Sequence, residues 1–516
     1  MSFVSWQFIG FVALSTLLYY ILPKRFQWMF LLLVSLFFYS LGGIKVLLYL
    51  MFTILTTYGV GLLIGKLNNS MSGNLTKEET NKIKTKKKLW VLASLICNFG
   101  VLFFFKYWNF SAGILNNTFH FSLPTLNLIL PLGISFYIFQ SIGYVIDVYR
   151  KKYEPEKNVF KYALFVSFFP QMVQGPISRF NNLGKQLEES HDFSFENVEA
   201  GLNLLLWGYF KKLVIADRAA IIAKIVFNNF ENYGGAIILF GVIFYCIQLY
   251  CDFSGGIDIT RGVARLFGID LVDNFKRPIF STSLQDFWRR WHISLGTWMK
   301  DYLFYPLSLS KPFVKLGKFI RKHISGKAGQ IIPVSIVTFI VYLVIGIWHE
   351  ASFKYIAFGL WNGTLITLSL LLDPLFIKLK QKLHIDDKNK WFNMFRMIRT
   401  AALVLIGRYI TRAANLGTTF AMLNKTFTNF KASELTNGTL LNLGLTTGDF
   451  VIVGFSVMLL LFIEGLQEHN VDVTKKLKEK NIVLQYAILT SFLVIIAAFG
   501  IYRGDYIASE FIYKQF

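Results

Sequence analysis

Apolar residues run along this chain in blocks, separated by short polar stretches. The blocks lie near 5–22, 27–41, 44–65, 89–105, 127–147, 159–176, 198–215, 234–251, 332–349, 354–373, 400–415, 449–466 and 483–502. Most approach the roughly 20 residues with which a helix crosses a hydrocarbon core. Some are too short or too polar for a simple span. The pattern predicts an all-α polytopic membrane protein with about 11 transmembrane helices plus one or two re-entrant or interfacial helices. No internal repeat or low-complexity linker divides the chain, so residues 1–516 read as one integral membrane domain.

The polar stretches predict orientation. The segments 66–88, 150–161, 311–327, 378–399 and 475–480 are rich in lysine and arginine and are assigned to the cytoplasm. The segments 107–126 and 416–448 are poorer in both and are assigned outside. No basic region precedes the first apolar block, and Lys24 and Arg25 follow it, which predicts a first membrane helix rather than a cleaved signal. Both termini then fall on the extracytoplasmic side.

Composition strengthens this picture. Hydrophobic residues make up 54% and charged residues 16%, against roughly 45–50% and about 25% in soluble domains. The net charge of +23 would suggest nucleic acid in a soluble protein. Here the charges sit in short loops between apolar blocks, so the lipid bilayer is the partner expected and nucleic acid is not. Cys97, Cys246 and Cys251 lie in or at the ends of apolar blocks, without metal-type spacing. They read as small buried hydrophobes, and no metal is expected.

Ionisable groups inside apolar blocks are costly and mark candidate sites. Of the seven histidines, only His292 and His349 sit among aromatic and apolar residues. His349 ends the apolar run 332–348, and Trp348 precedes it. A neutral imidazole there can accept a proton from a hydroxyl nucleophile; it could equally be satisfied by a neighbouring carbonyl. His292 lies in Asp286-Phe-Trp-Arg-Arg-Trp-His-Ile-Ser-Leu295. Ser283 and Asp286 match a capping box, and Phe287, Trp291, Leu295, Trp298 and Tyr302 recur at helical spacing. This predicts one amphipathic interfacial helix, with Arg289, Arg290 and Lys300 off its aromatic face and His292 at the border. His292 fits a packing role as well as a catalytic one.

Asp252 and Asp258 follow an apolar span at Tyr250-Cys-Asp-Phe-Ser-Gly-Gly-Ile-Asp258, with Arg261, Arg265, Lys276 and Arg277 close behind. Structural pairing is the favoured reading; the alternative is a surface facing the phosphates of a cytoplasmic donor. Proline and glycine crowd the segment Phe168-Phe-Pro-Gln-Met-Val-Gln-Gly-Pro-Ile-Ser-Arg179, which predicts a helix break at membrane depth.

These residues together resemble the membrane-bound O-acyltransferase family, in its alginate O-acetyltransferase-like branch, with the D-alanyl transfer proteins of teichoic acid synthesis as a sister branch. The resemblance rests on Asp286–Leu295, on Trp348-His349 followed by Gly359-Leu360-Trp361, on Phe169-Pro170 with Gly175-Pro176-Ile177, on Tyr250–Gly255, and on Asn274-Phe-Lys-Arg-Pro278. It is strongest over 130–365, the expected catalytic core. It implies a helical core with a funnel open to the outside and a donor entrance from the cytoplasm. It also implies His349 as the catalytic base, His292 as the second motif histidine, and acetyl-CoA as donor substrate with no bound cofactor. Trp348, Asp286, Arg289, Arg290, Trp291, Tyr302, Asp252, Asn274 and Arg277 are the supporting or substrate-binding candidates. The acceptor is expected to be an exported polysaccharide or an extracytoplasmic SGNH-type acetyltransferase partner, and the location a bacterial cytoplasmic membrane. Three positions depart from the family pattern: Glu350 where glycine is common, Asn362 where a histidine is common, and Thr411-Arg412-Ala413. A transporter or flippase for a polysaccharide precursor is the competing class, and a scaffold with lost chemistry a third.

Overall fold

A computed structural model of the chain describes residues 1–72, 75–128, 130–172 and 174–502. The expected position of the C-terminus lies outside the described residues. Helices account for nearly all regular structure, as the block pattern predicts; the only β-type pairing among the described residues is an isolated bridge between Phe275 and Trp291. Seven helices among them are long and apolar enough to cross a bilayer.

The chain divides into two compact units. The first comprises Met1–Leu205 and Gly256–Val272, the second Leu206–Gly255 and everything from Asp273. In the first, the helices Ile44–Asn69 and Lys77–Lys106 have membrane length. The second of these corrects a boundary. Lys77 to Lys88 belong to a helix and not to a loop, because Thr76 and Glu79 form a complete capping box that starts the helix well before the apolar stretch.

The helix break expected at the Pro/Gly segment is present in this unit. The helix Val159–Ser167 stops there, and Phe168 leaves helical geometry. Side chains take over the freed backbone groups. Phe169 N–H donates to the Ser35 hydroxyl at 3.1 Å, and the Gln140 amide donates to the Phe165 carbonyl at 2.6 Å. The Gln171 amide donates to Gln140 at 3.1 Å. Broken backbone buried this way satisfies the requirement that polar groups inside a membrane find internal partners.

The second unit contains the helices Ala328–His349, Phe353–Lys382, Thr447–Glu468 and Ile482–Phe499, all of membrane length. On Thr447–Glu468, Val451, Phe455, Met458 and Phe462 are exposed, while Val453, Ser456, Leu460 and Glu464 are buried. Alternation at three- and four-residue steps gives one face for lipid and one for protein. The basic stretch 311–327 forms a separate amphipathic helix, Lys311–His323.

Ala328–His349 and Phe353–Lys382 form an antiparallel hairpin joined by Glu350-Ala351-Ser352, with Glu350 and Ser352 in extended conformation. Glycines allow the two backbones to touch. A Cβ on Gly346 would lie 2.4 Å from the Tyr355 carbonyl oxygen, and one on Gly359 would lie 2.8 Å from that of Tyr342. This contact sets the position of His349, three residues beyond Gly346. Overpacking a close contact costs about 1–3 kcal/mol or more. Gly346→Leu is therefore expected to lower the melting temperature of the detergent-solubilised protein; an unchanged melting curve would show that the hairpin tolerates separation.

Candidate active site

His349 is the last residue of its helix and is half-buried. Its ring lies 5.0 Å from Trp348, 5.9 Å from Tyr355 and 6.4 Å from Phe358, centroid to centroid. It lines a cavity of 40 Å³ together with Trp288, Trp291, Arg408 and Thr411. The Glu350 carboxylate lies 3.8 Å from Lys354 on the following helix, so this departure from the family pattern forms a local ion pair.

The segment expected to form one amphipathic helix is instead two short helices, Leu284–Arg290 and Ile293–Met299. The break falls at Trp291 and His292. Trp291 is extended and pairs with Phe275, and His292 has φ 51° and ψ 52°. Two backbone bonds hold the break open. Lys276 N–H donates to the Arg290 carbonyl at 2.9 Å and Ile293 N–H to that of Asn274 at 3.0 Å. The capping box is only half made, because Asp286 accepts from Thr282 N–H rather than from Ser283. A left-handed residue outside glycine is uncommon and is tolerated where surroundings over-determine it.

The consequence is that His292 turns inward and does not border an exposed aromatic face. It is 1% exposed, with its ring 5.0 Å from Phe253 and 6.2 Å from Trp348. Burial pushes its pKa down to about 3, so the imidazole is neutral. Its Nδ1 faces Asn274 Oδ1 at 3.4 Å. The same oxygen accepts from the Ser294 amide and hydroxyl, each at 2.9 Å. With Asn274 Oδ1 as acceptor, the proton sits on Nδ1, and Nε2 is the acceptor nitrogen. His292 contributes to a second cavity of 520 Å³, whose walls also carry Arg289, Lys300, Trp288 and Tyr342. Trp348 thus touches both histidines, and Trp288 walls both cavities.

Trp288 is fixed by Asn362, whose Oδ1 accepts from the indole Nε1–H at 3.1 Å while its amide donates to the Phe358 carbonyl at 2.9 Å. The asparagine standing where the family often has histidine therefore orients a wall of the His349 cavity. Thr411 lines that cavity, and the Arg412 guanidinium lies 5.5 Å from the Phe227 ring centroid.

The remaining candidates, Trp291 apart, line neither histidine cavity. Asp286, Arg290 and Arg277 form an ion network centred on Glu468, which accepts from Arg277 at 2.8 Å and from Arg290 at 2.9 Å; Arg290 also bonds Asp286 at 3.1 Å. Trp291 stacks on Phe287, centroids 5.5 Å apart. Tyr302 packs on Trp298 at 5.1 Å and lines neither histidine cavity. Asp252 is 1% exposed and pairs with Lys212 at 2.6 Å, and Lys212 also meets Asp217 at 2.9 Å. This is the structural pairing favoured for Asp252, made with a lysine inside an apolar block. Among the described residues no cluster suited to a metal ion occurs.

Two side chains at the site escaped the motif reading. Arg408 is 6% exposed, lines the His349 cavity and sits 5.1 Å above the Trp291 ring centroid. Arg408 stands with Arg412 in the apolar run 400–415, and an arginine in such a run is a usable signal, since intramembrane charges are functional candidates. Trp288 is the other; in so aromatic a segment, nothing distinguishes it from its neighbours.

Comparison with known proteins places the chain among its relatives. Residues 156–405 match the model of the membrane-bound O-acyltransferase family. The chain is 31% identical to the probable alginate O-acetylase AlgI of Pseudomonas syringae pv. tomato, over 83% of this chain and 76% of the relative. It is 31% identical to the peptidoglycan O-acetyltransferase of Helicobacter pylori, over 70% of this chain and 67% of the relative. Identity to the teichoic acid D-alanyltransferase of Bacillus subtilis is 26%, over 56% and 70% respectively. With such relatives aligned over most of their length, and with a membrane-spanning helical fold, this chain belongs to the membrane-bound O-acyltransferase family and is an O-acyltransferase, not a transporter.

Proposed function

We propose that the protein takes an acetyl group from cytoplasmic acetyl-CoA and passes it across a bacterial cytoplasmic membrane to an exported or cell-surface polysaccharide, with His349 as general base. The observation that carries this reading is the placement of His349 in a 40 Å³ cavity sharing its Trp288 wall with the larger cavity of His292, Arg289 and Lys300. The larger cavity offers cations for the donor's phosphates and apolar walls for its pantetheine arm. The smaller one sets His349 among aromatic walls and beside the Arg408 guanidinium. Relatives named for O-acetylation of alginate and of peptidoglycan support a polysaccharide as the final acceptor. An extracytoplasmic SGNH-type acetyltransferase, whose serine hydroxyl is acylated first, is the proposed intermediary.

In this mechanism His349 removes the hydroxyl proton as the oxygen attacks the thioester carbonyl. The tetrahedral oxyanion collapses, the C–S bond breaks, and the thiolate takes the proton from the imidazolium. The products are the acetyl ester and coenzyme A. The developing oxyanion needs a donor already in place. Arg408, buried and lining the His349 cavity, fills that role better than Tyr302, which lies away from it. His292 does not, because its Nδ1 is directed at Asn274 Oδ1.

Three outcomes follow. His349→Ala is expected to reduce coenzyme A release from acetyl-CoA by about 10²–10⁴-fold, and to remove acetyl ester from the cell's polysaccharide as fully as deletion does. Normal ester content with His349→Ala protein in the membrane would take His349 out of the role. Arg408→Gln is expected to lower kcat by about 10²–10³-fold with little change in donor KM; a change confined to KM would assign it to binding.

The third concerns pH. His292 is neutral in the folded protein down to about pH 3, whereas it titrates near 6.5 when unfolded. Between those values the unfolded chain binds a proton that the folded one does not, so stability falls as pH is lowered through this window. His292→Gln should therefore show a smaller loss of melting temperature from pH 7 to pH 5 than the wild type. Equal losses would mean that His292 is not held neutral.

A further inference from the structure

A third cavity, of 400 Å³, lies in the second unit between Gly235–Leu266, Lys390–Arg412 and Thr447–Glu468. Its lining is almost wholly apolar, with Ile243, Ile247, Val404, Leu405, Val457 and Leu461 along its length. Two polar groups of the lining, Tyr250 and Glu464, are hydrogen-bonded to each other. The surrounding helices face hydrocarbon on their outer sides. Phe455, Met458 and Phe462 are exposed on one, and Trp391, Phe395 and Ile398 on another.

Arg399 lies next to the lining residue Thr400 in sequence and does not itself line the cavity. Thr400 and Ser281 line it, and Arg399 and Thr282, next to them in sequence, are joined by a bond from Arg399 Nη2 to the Thr282 carbonyl at 2.9 Å. Arg399 is exposed, and no carboxylate lies within ion-pair distance of it among the described residues. A guanidinium has five N–H donors, so most remain available after that bond. Arg396 stands one turn earlier on the same helix, and its own pairing with Asp387 is loose at 3.9 Å. Exposed Trp391, Phe395 and Ile398 beside two arginines form the arrangement of a helix segment at the hydrocarbon–headgroup boundary, with cations at headgroup level.

We propose that this cavity seats one acyl chain of an anionic phospholipid, with the lipid phosphate held at Arg399. The chain occupies the apolar interior, where a polar ligand would lose its hydration without compensation. The phosphate makes charge-assisted bonds to a guanidinium at the rim. The chain then packs on Trp291 and beside Arg408, side chains that also wall the His349 cavity. A bilayer lipid and the acyl-transfer site thereby share a partition.

The test is lipid retention, read without turnover and so independent of the proposed reaction. The full chain, made in a membrane containing phosphatidylglycerol, is purified in mild detergent, washed extensively and analysed by native mass spectrometry and lipid extraction. One retained phospholipid per chain, enriched in phosphatidylglycerol over the bulk membrane, is expected. Leu461→Phe and Val404→Phe, which fill the cavity from two helices, should each lose it while remaining monodisperse. Arg399→Gln should retain about fivefold less phosphatidylglycerol. Retention unchanged in both filling variants would overturn the proposal, as would absence of retained lipid from the wild type. Displacement of the lipid by acetyl-CoA at donor concentrations would also overturn it, by assigning the cavity to the donor.

Discussion

Two helices can bring their backbones into contact only where side chains are missing, and the site of this protein is built around such a contact. Gly346 and Gly359 let the Ala328–His349 and Phe353–Lys382 helices touch near the turn that joins them. From that contact the geometry follows outward. His349 is carried to the end of a rigid rod, and the next helix supplies Tyr355, Phe358 and Asn362 at fixed distances from it. Asn362 then fixes Trp288. Small residues at a membrane helix interface serve close packing; here they also position a chemical group.

A second constraint comes from the cost of placing polar groups in an apolar interior. The protein meets it differently at each histidine. His292 is fully enclosed, kept neutral, and given one defined partner in Asn274. His349 stays half-buried at a helix end and opens onto space. Charges elsewhere are held in matched sets, with Lys212 between Asp252 and Asp217, and Glu468 between two arginines. Removing one member of the fully buried Lys212 set costs about 3–5 kcal/mol, because the partner is stranded.

Fold class is legible in the sequence because the length of an apolar block measures bilayer thickness directly. Helix boundaries are less legible. Hydropathy marks where a helix enters water and not where it ends, so the helix Lys77–Lys106 extends twelve residues before its apolar stretch, to a cap read only at Thr76 and Glu79. The two histidines stand out because imidazole is rare among such neighbours. Their surroundings do not. Helical spacing predicts Leu284–Met299 as one helix, and the break at His292 depends on Lys276 and Ile293 backbone bonds made across a turn that periodicity does not report. Arg408 was visible as a charge in an apolar run, yet its relation to Trp291 and His349 arises only from packing.

The aromatic wall beside His349 has a bearing on selectivity between nucleophiles. The wall of the His349 cavity is largely aromatic, with Tyr245, Phe253, Trp288, Trp291, Tyr355 and Phe358 around it. In the proposed reaction, an attacking water beside such rings finds few hydrogen-bond partners. The competition between water and the acceptor hydroxyl for the proposed thioester then turns on which of them these walls can hold in place.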